Sequence, residues 1–340
     1  MSEPKKILVR MPNWIGDLVM ATPVLADLRK AFPNASITAM CKKPSSELLE
    51  RDTSIDELFS FTRPSNTFVS RRQDLRNIIG KIEEGKYDTG ILLTHSFSSA
   101  WWFWQGQVKR RIGYSDHFRR LLLTDPLAFS KEKEHEVISY KRVLSPLGIL
   151  LSDTAPKLFV DPEEVKKSKT LLYQRGYVEG KKLVGINPGA IYGAAKCWPP
   201  ERFRALAMRL LLKRDVYIVF FGDMSHAELI KKITRGLPER AIDLAGITNL
   251  RELAAIIKDC NVLVTNDSGP MHIGAALDVP LVALFGSTDA ELTGPYGKQE
   301  SVIHKHVKCS PCFQRVCPID FPCMKEIDVD EVVQRVFEYV

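Results

Sequence analysis

Nowhere do the 340 residues string together the roughly 18 apolar side chains that a membrane-crossing helix requires. The opening MSEPKKILVRM also lacks the apolar core of a secretory signal and runs directly into a strand pattern, so the expected location is the cytoplasm. The turn after the first strand, Met11-Pro12-Asn13-Trp14-Ile15-Gly16-Asp17, holds a single glycine where a dinucleotide fingerprint needs three. That absence counts against a nicotinamide-dependent dehydrogenase. Acidic residues are outnumbered, 41 Asp and Glu against 48 Lys and Arg, for a formal charge of +7. The surplus points to an anionic partner without naming it, since nucleotide, nucleic acid and phospholipid surface all qualify.

What is present is an ordinary soluble composition, 45% apolar and 26% charged. The length suits two domains at a prior of about 150 residues each. Strand-length apolar runs alternate with helical patterns throughout, which predicts an α/β fold with parallel sheets covered on both faces. The first-half strands are expected near 7–10, 36–40, 58–61, 89–93 and 111–113, the second-half strands near 183–187, 216–221, 241–244, 262–265 and 281–285. The polar segment 153–164, with Pro156 and Pro162, reads as the joint, followed by a helix over about 163–175. The expected division is 1–160, 161–325 and a closing segment 326–340, whose apolar positions Val329, Val332, Val333, Val336 and Phe337 share one helix face. That last segment is placed either with the second domain or packing back on the first. Two doubly wound domains facing each other across a cleft is the economical architecture, with ligands beyond the carboxyl ends of the strands.

Those strand ends carry the chemistry. Thr265-Asn266-Asp267-Ser268-Gly269-Pro270 leaves a buried strand and opens a helix, with Asp267 or Ser268 as cap and Pro270 in the first turn, where its missing N–H costs nothing. Backbone amides and the positive end of the helix dipole there suit a diphosphate; a plain helix cap is the alternative. Asn187-Pro188-Gly189 turns the chain after another strand, and Lys196 follows on the same loop as a compact charge for a phosphate. Gly222 marks a third turn of this kind, where a sugar or base has room. In the first half Asp17 stands at a helix start, either as a cap or as a general base on a bound hydroxyl.

Taken in order, the blocks MPNWIGDLVMATPVLADLRKAFP, RRIGY, GINPGAIYGAAKCWPPERF, TNDSGPMHIGAALDVPLVALFGSTD and CSPCFQRVCPIDFPCM resemble the family 9 glycosyltransferases, with the ADP-heptose:lipopolysaccharide heptosyltransferase II type as the nearest pattern. The resemblance covers nearly the whole chain. It implies a GT-B architecture of two Rossmann-like domains, with the nucleotide sugar on the C-terminal domain and the glycolipid acceptor on the N-terminal one. It implies inverting transfer of L-glycero-D-manno-heptose from ADP-heptose to a heptosyl-Kdo-lipid A acceptor of lipopolysaccharide, with Asp17 taking the proton from the attacking hydroxyl. Lys196, Asp267, Ser268, Gly269, Met271 and His272 would then meet the donor, joined by Gly189 and Gly222; His272 is equally open to a packing role. Asp328-Val329-Asp330 reads as a helix cap, and no cofactor is required. Addition of a first or third heptose, or a nucleotide-binding module without transfer activity, are the alternatives. No nucleic acid is expected as partner.

The acceptor side departs from the family pattern, with Thr94-His95-Ser96-Phe97 followed by Trp101-Trp102-Phe103-Trp104. Four consecutive aromatics cannot share one helix face, so two or three should pack inside. Asn13, Trp14, His95 and Ser96 are the candidate acceptor contacts at strand ends. The basic run Lys109 to Arg120 adds Arg110, Arg111, Arg119 and Arg120, either as a solvated face or as a cationic rim. A rim of five such charges, at roughly 1 kcal/mol each, would hold the protein peripherally on an anionic inner-membrane surface. Finally, four of the seven cysteines, Cys309, Cys312, Cys317 and Cys323, fall in C-x2-C-x4-C-x5-C spacing. In the cytoplasm such clustering suggests structural zinc or an iron–sulfur cluster before a disulfide, with reduced structural thiols as the alternative.

Overall fold

A computed structural model describes residues 3–116 and 118–340. The chain divides into two compact units, Met1–Leu158 and Phe159–Val340.

Among the described residues the first unit holds a six-stranded parallel sheet: β1 (Lys6–Arg10), β2 (Ser36–Lys42), β3 (Glu57–Phe61), β4 (Thr89–Leu92), β5 (Arg110–Tyr114) and β6 (Asp125–Leu127). Their order is β3-β2-β1-β4-β5-β6. Ile7, Leu8 and Val9 of β1 are fully buried, as expected for a central strand covered on both faces. One face is filled by Leu8, Met40, Phe61, Ile82, Trp102 and Phe103. The aromatic block divides as its periodicity requires: in the helix Phe97–Gln105, Trp102 and Phe103 are buried while Trp104 is 49% exposed.

The second unit repeats the plan with β7 (Lys182–Asn187), β8 (Val216–Phe220), β9 (Ala241–Asp243), β10 (Val262–Asn266), β11 (Leu281–Phe285) and β12 (Val302–His304), ordered β12-β11-β10-β7-β8-β9. Numbered from its own first strand, this is the same 3-2-1-4-5-6 sequence as in the first unit. The strand order reverses between β1 and β4 in one sheet and between β7 and β10 in the other, which marks the two places where a ligand fits between diverging loops. Two helices begin where side chains satisfy their free amides. Asp161 with Glu164 and Asn249 with Glu252 form reciprocal capping boxes ahead of Pro162–Tyr173 and Leu250–Asp259.

Two expectations change. β6 and β12 were not foreseen: each is a three-residue edge strand, and Asp125-Pro126-Leu127 tolerates its proline because an edge leaves that N–H unneeded. The helix after β1 begins at Ile15, so Gly16 is helical and the turn lies before it. The closing helix, Val329–Phe337, joins the core of the second unit. Val332, Val333 and Val336 sit in one core with Phe203, Leu206 and Leu210 of the helix Pro200–Lys213.

Candidate active site

In the second unit the switch point is organised by two asparagines at adjacent strand ends. Asn187 at the end of β7 donates to Ser268 Oγ at 2.8 Å and to the Gly189 carbonyl at 3.1 Å. Asn266 at the end of β10 donates to the Pro188 carbonyl at 2.8 Å and accepts from the Trp198 amide at 3.0 Å. Each loop is thereby fixed by the other strand. Lys196 is held by Asp267, whose Oδ2 also accepts from Thr288 Oγ1 at 2.6 Å; the lysine side chain is 12% exposed and the aspartate 4%. Tyr192 places its ring 4.7 Å from the Lys196 ammonium, with the Arg315 guanidinium 5.2 Å from the same ring.

The helix Gly269–Ala276 starts at this pair. Its cap is Ser268, not Asp267, and the serine makes no side-chain cap hydrogen bond because its hydroxyl lies with Asn187, Thr265 and the Asn266 carbonyl. The first amides of a helix have no partner inside it, so this end keeps donor capacity next to a largely buried ammonium. Met271 leaves the predicted donor set: its side chain is fully buried in the core and its amide donates to the Ser268 carbonyl at 3.1 Å. His272 is 6% exposed, which favours its packing role. Gly189 and Gly222 line the loops through close approach, since a Cβ on Gly189 would stand 2.6 Å from the His226 ring and one on Gly222 would stand 2.6 Å from Ile230. Thr288, Tyr192 and Arg315 were missed by the sequence reading, although Thr288 follows β11 as Asp267 follows β10.

In the first unit Asp17 is the third residue of the helix Ile15–Met20, whose cap position is Trp14 without a side-chain bond. Asp17 therefore does not serve as the cap. Its Oδ1 accepts from the Tyr140 hydroxyl at 3.2 Å. Burial, then the charge of Asp17, raises the pKa of Glu136 on the same helix as Tyr140, and burial keeps the Tyr140 phenol protonated well above its usual range.

The predicted acceptor residues separate into two groups. Asn13 and Ser96 line a cavity of about 520 Å³ in this unit, together with Arg10, Lys42, Arg63 and Arg71, none of which the sequence singled out. Trp14 is 57% exposed outside it. His95 stacks with Tyr114 and Phe129 at centroid distances of 5.8 and 5.2 Å and contacts Asp116 at 3.1 Å. The basic run divides between internal partners and solvent. Arg110 donates Nη2 to Asp125 Oδ1 at 2.8 Å and to the Pro146 carbonyl at 2.7 Å; Arg111 donates to the carbonyls of Leu122 and Val108 at 2.6 Å each. Arg119 is fully buried with its guanidinium on the Thr94 carbonyl. Arg110 and Arg111 belong to β5 and are half-buried, and Arg119 belongs to the turn behind it. Lys109 and Arg120 remain exposed.

The four clustered cysteines are free thiols, Cys309 exposed and Cys323 buried. Among the described residues no group of three or more His, Cys, Asp or Glu side chains is arranged to hold a metal ion. Among them, too, no helix is long and apolar enough to cross a membrane.

Comparison with known proteins places this geometry. The family model of glycosyltransferase family 9 (heptosyltransferase) matches residues 75–321. The chain is 31% identical over 310 residues to a lipooligosaccharide heptosyltransferase 2 of Haemophilus ducreyi, covering 88% of each. The solved ADP-heptose lipopolysaccharide heptosyltransferase II of Escherichia coli superposes with a TM-score of 0.83 at 26% identity, covering 98% of both chains. A family 9 glycosyltransferase of Veillonella parvula gives 0.85 at 26% identity, covering 98% of this chain and 97% of that one. Two Rossmann-like domains of this kind are those of a GT-B glycosyltransferase. The chain belongs to glycosyltransferase family 9, the heptosyltransferases.

Proposed function

We propose that the protein transfers L-glycero-D-manno-heptose from ADP-heptose, with inversion, to the heptosyl-Kdo-lipid A core of lipopolysaccharide, adding the second heptose. The observation that carries this reading is the largely buried Lys196 ammonium beside the start of the helix Gly269–Ala276, in a chain whose relatives bear the name heptosyltransferase 2. In the proposed step the diphosphate of the donor lies on the second unit. As the bond between the anomeric carbon and the phosphate oxygen breaks, the charge on departing ADP develops where the ammonium and the helix amides stand. Asp267, itself bonded by Thr288, holds the lysine in place. Asp17 accepts the proton of the acceptor hydroxyl while that oxygen forms the new bond from the opposite face. No metal is called on, since the lysine and helix start meet the phosphate charge.

We place the reaction on the cytoplasmic face of the inner membrane, where such an acceptor is anchored. Equal binding to neutral and anionic vesicles at low salt would remove the electrostatic part of that placement. The deciding experiment offers ADP-heptose with acceptors carrying no heptose, one heptose or two. Transfer to the one-heptose acceptor alone supports the second-heptose reading. Preference for either of the others reassigns the position, and no transfer to any leaves a nucleotide-binding module.

A further inference from the structure

We propose that one outer face of the first unit, built from the helix Phe97–Gln105 and the turn Arg119–Leu122, docks on an anionic phospholipid bilayer. The inference deepens the placement of the reaction at an inner-membrane surface and rests on that placement. The helix is apolar on two sides. Ala100, Trp102 and Phe103 share one core with Ile82 of the helix Phe68–Gly85 and with Leu123. Phe97, Trp101 and Trp104 recur at the i, i+4, i+7 spacing that lines one side of a helix, over about 10 Å of its length. Phe97 and Trp104 are each 49% exposed, and Trp101 is half-buried. Packing on the sheet accounts for the inner set and leaves the outer stripe facing water.

The neighbouring turn extends that stripe. Phe118 and Leu121 are both 92% exposed, more than any other large apolar side chain among the described residues. Leu122 and Leu123 pack on the same core as the helix, so the turn is anchored while its two apolar tips stand clear of the protein. Phe118 takes a φ of 60°, a conformation that bulky side chains rarely adopt, and its ring gains no packing in return.

The charges around this face select the occupant. From residue 97 to 123 the sequence has five cations and one acid, Asp116, which contacts His95. Arg110, Arg111 and Arg119 are turned to internal partners. Lys109, beyond the Trp104 end of the helix, and Arg120, between the two tips, are exposed. The helix Phe68–Gly85 packs alongside and adds exposed Arg72 and Arg76, one turn apart. Of its acids, Asp74 accepts from the Ser65 amide, Glu83 from the Gln107 side chain, and Glu84 lies in the last turn. Indole rings with cations beside them match a headgroup layer, where the ring rests on acyl chains and the cation meets lipid phosphate. Two tips standing clear of the surface suit insertion between lipids, whereas a protein partner would have to supply a pocket for each.

The test is co-sedimentation of the full-length protein with phosphatidylcholine vesicles, with and without phosphatidylglycerol. It compares wild type, F118S/L121S, W104S, K109A/R120A and L212S, the last removing an exposed leucine of the second unit. Wild type should bind the phosphatidylglycerol vesicles and bind the neutral ones less. F118S/L121S should lose at least about ten-fold in partitioning, W104S less than that, and L212S nothing. K109A/R120A should narrow the gap between the two vesicle types. F118S/L121S should keep the wild-type Tm and wild-type transfer to an acceptor stripped of its acyl chains, while losing transfer to acceptor embedded in vesicles. Equal vesicle binding by wild type and F118S/L121S overturns the assigned face and leaves the bilayer placement standing. Absence of wild-type binding to either vesicle overturns both. A dimeric wild type that binds no vesicle, with F118S/L121S monomeric, gives the face to a second copy and refutes the proposal. If wild type transfers heptose to no acceptor, the functional reading fails alone, since sedimentation with vesicles is read without turnover.

Discussion

The Tyr140 hydroxyl donates a hydrogen bond to Asp17 Oδ1 at 3.2 Å, tying the helix Glu136–Arg142 to the helix that carries the proposed base. Asp17→Ala should lower kcat by about 10²–10⁴-fold, the usual worth of a general base, while calorimetric ADP affinity stays within a few fold. Near-normal turnover would show that Asp17 is not the base. Tyr140→Phe removes only the orienting bond, net about 1 kcal/mol, so kcat should fall by about five-fold with both KM values steady.

Lys196→Ala should weaken ADP-heptose more than it weakens the acceptor, and should lower kcat/KM by about 10²–10³-fold, because the ammonium meets charge that grows as ADP leaves. Thr288→Val keeps the volume and deletes the bond to Asp267, so a smaller loss in the same parameter is expected. Kinetics in which Lys196→Ala changes only the acceptor KM would contradict the donor assignment.

Arg110→Ala is expected to be a stability variant and not a binding one, because its guanidinium is shared between Asp125 and a backbone carbonyl. A loss of about 1–3 kcal/mol in urea unfolding is expected, with kcat/KM nearly unchanged. Hydrogen bonding from Arg110 holds the Asp125 carboxyl below its usual range. A lowered folded pKa means this stabilisation is full above about pH 4, the unfolded value, and is lost as pH falls through the folded one. The gap between wild type and variant should therefore narrow below pH 4.

Thiol titration separates the cysteines. Cys309 is exposed and should react first with a disulfide reagent. Cys41 and Cys260 should wait for denaturant, since both are buried; burial pushes the Cys41 thiol up to about 12 and the Cys260 thiol higher still. Metal analysis of untagged protein, purified without chelator, completes the measurement. Zinc or iron approaching one equivalent, with Cys309, Cys312, Cys317 and Cys323 unreactive until chelator is added, would support the metal reading of their spacing.

Much of this architecture is legible in the chain because parallel central strands are apolar on both faces, as Ile7 to Val9 and Val262 to Val264 show. The edge strands β6 and β12 are too short and too mixed to announce themselves. Lys196, Asp267 and Asp17 stand out because strand-end residues are few and their chemistry is distinctive. The cavity is not legible: Arg10, Lys42, Arg63 and Arg71 are scattered along the sequence, and only strand register gathers them. Tyr140 lies 123 positions from Asp17, beyond any local pattern. Conversely, the basic run Lys109 to Arg120 draws attention by density alone, although a strand can turn arginines toward carbonyls as easily as toward water.

The irregular stretch before the closing helix leans on the loop that carries Lys196 at several points. The Phe313 carbonyl accepts from Tyr192 at 2.9 Å, the Arg315 carbonyl accepts from Ala195 at 3.1 Å, and the Ile327 carbonyl accepts from the buried Trp198 indole at 3.1 Å. The tail is thus a brace for the loop of Lys196, the proposed donor contact. Trimming or remodelling it, far away in sequence, should be felt first as looser grip on ADP and only afterwards as a less stable protein.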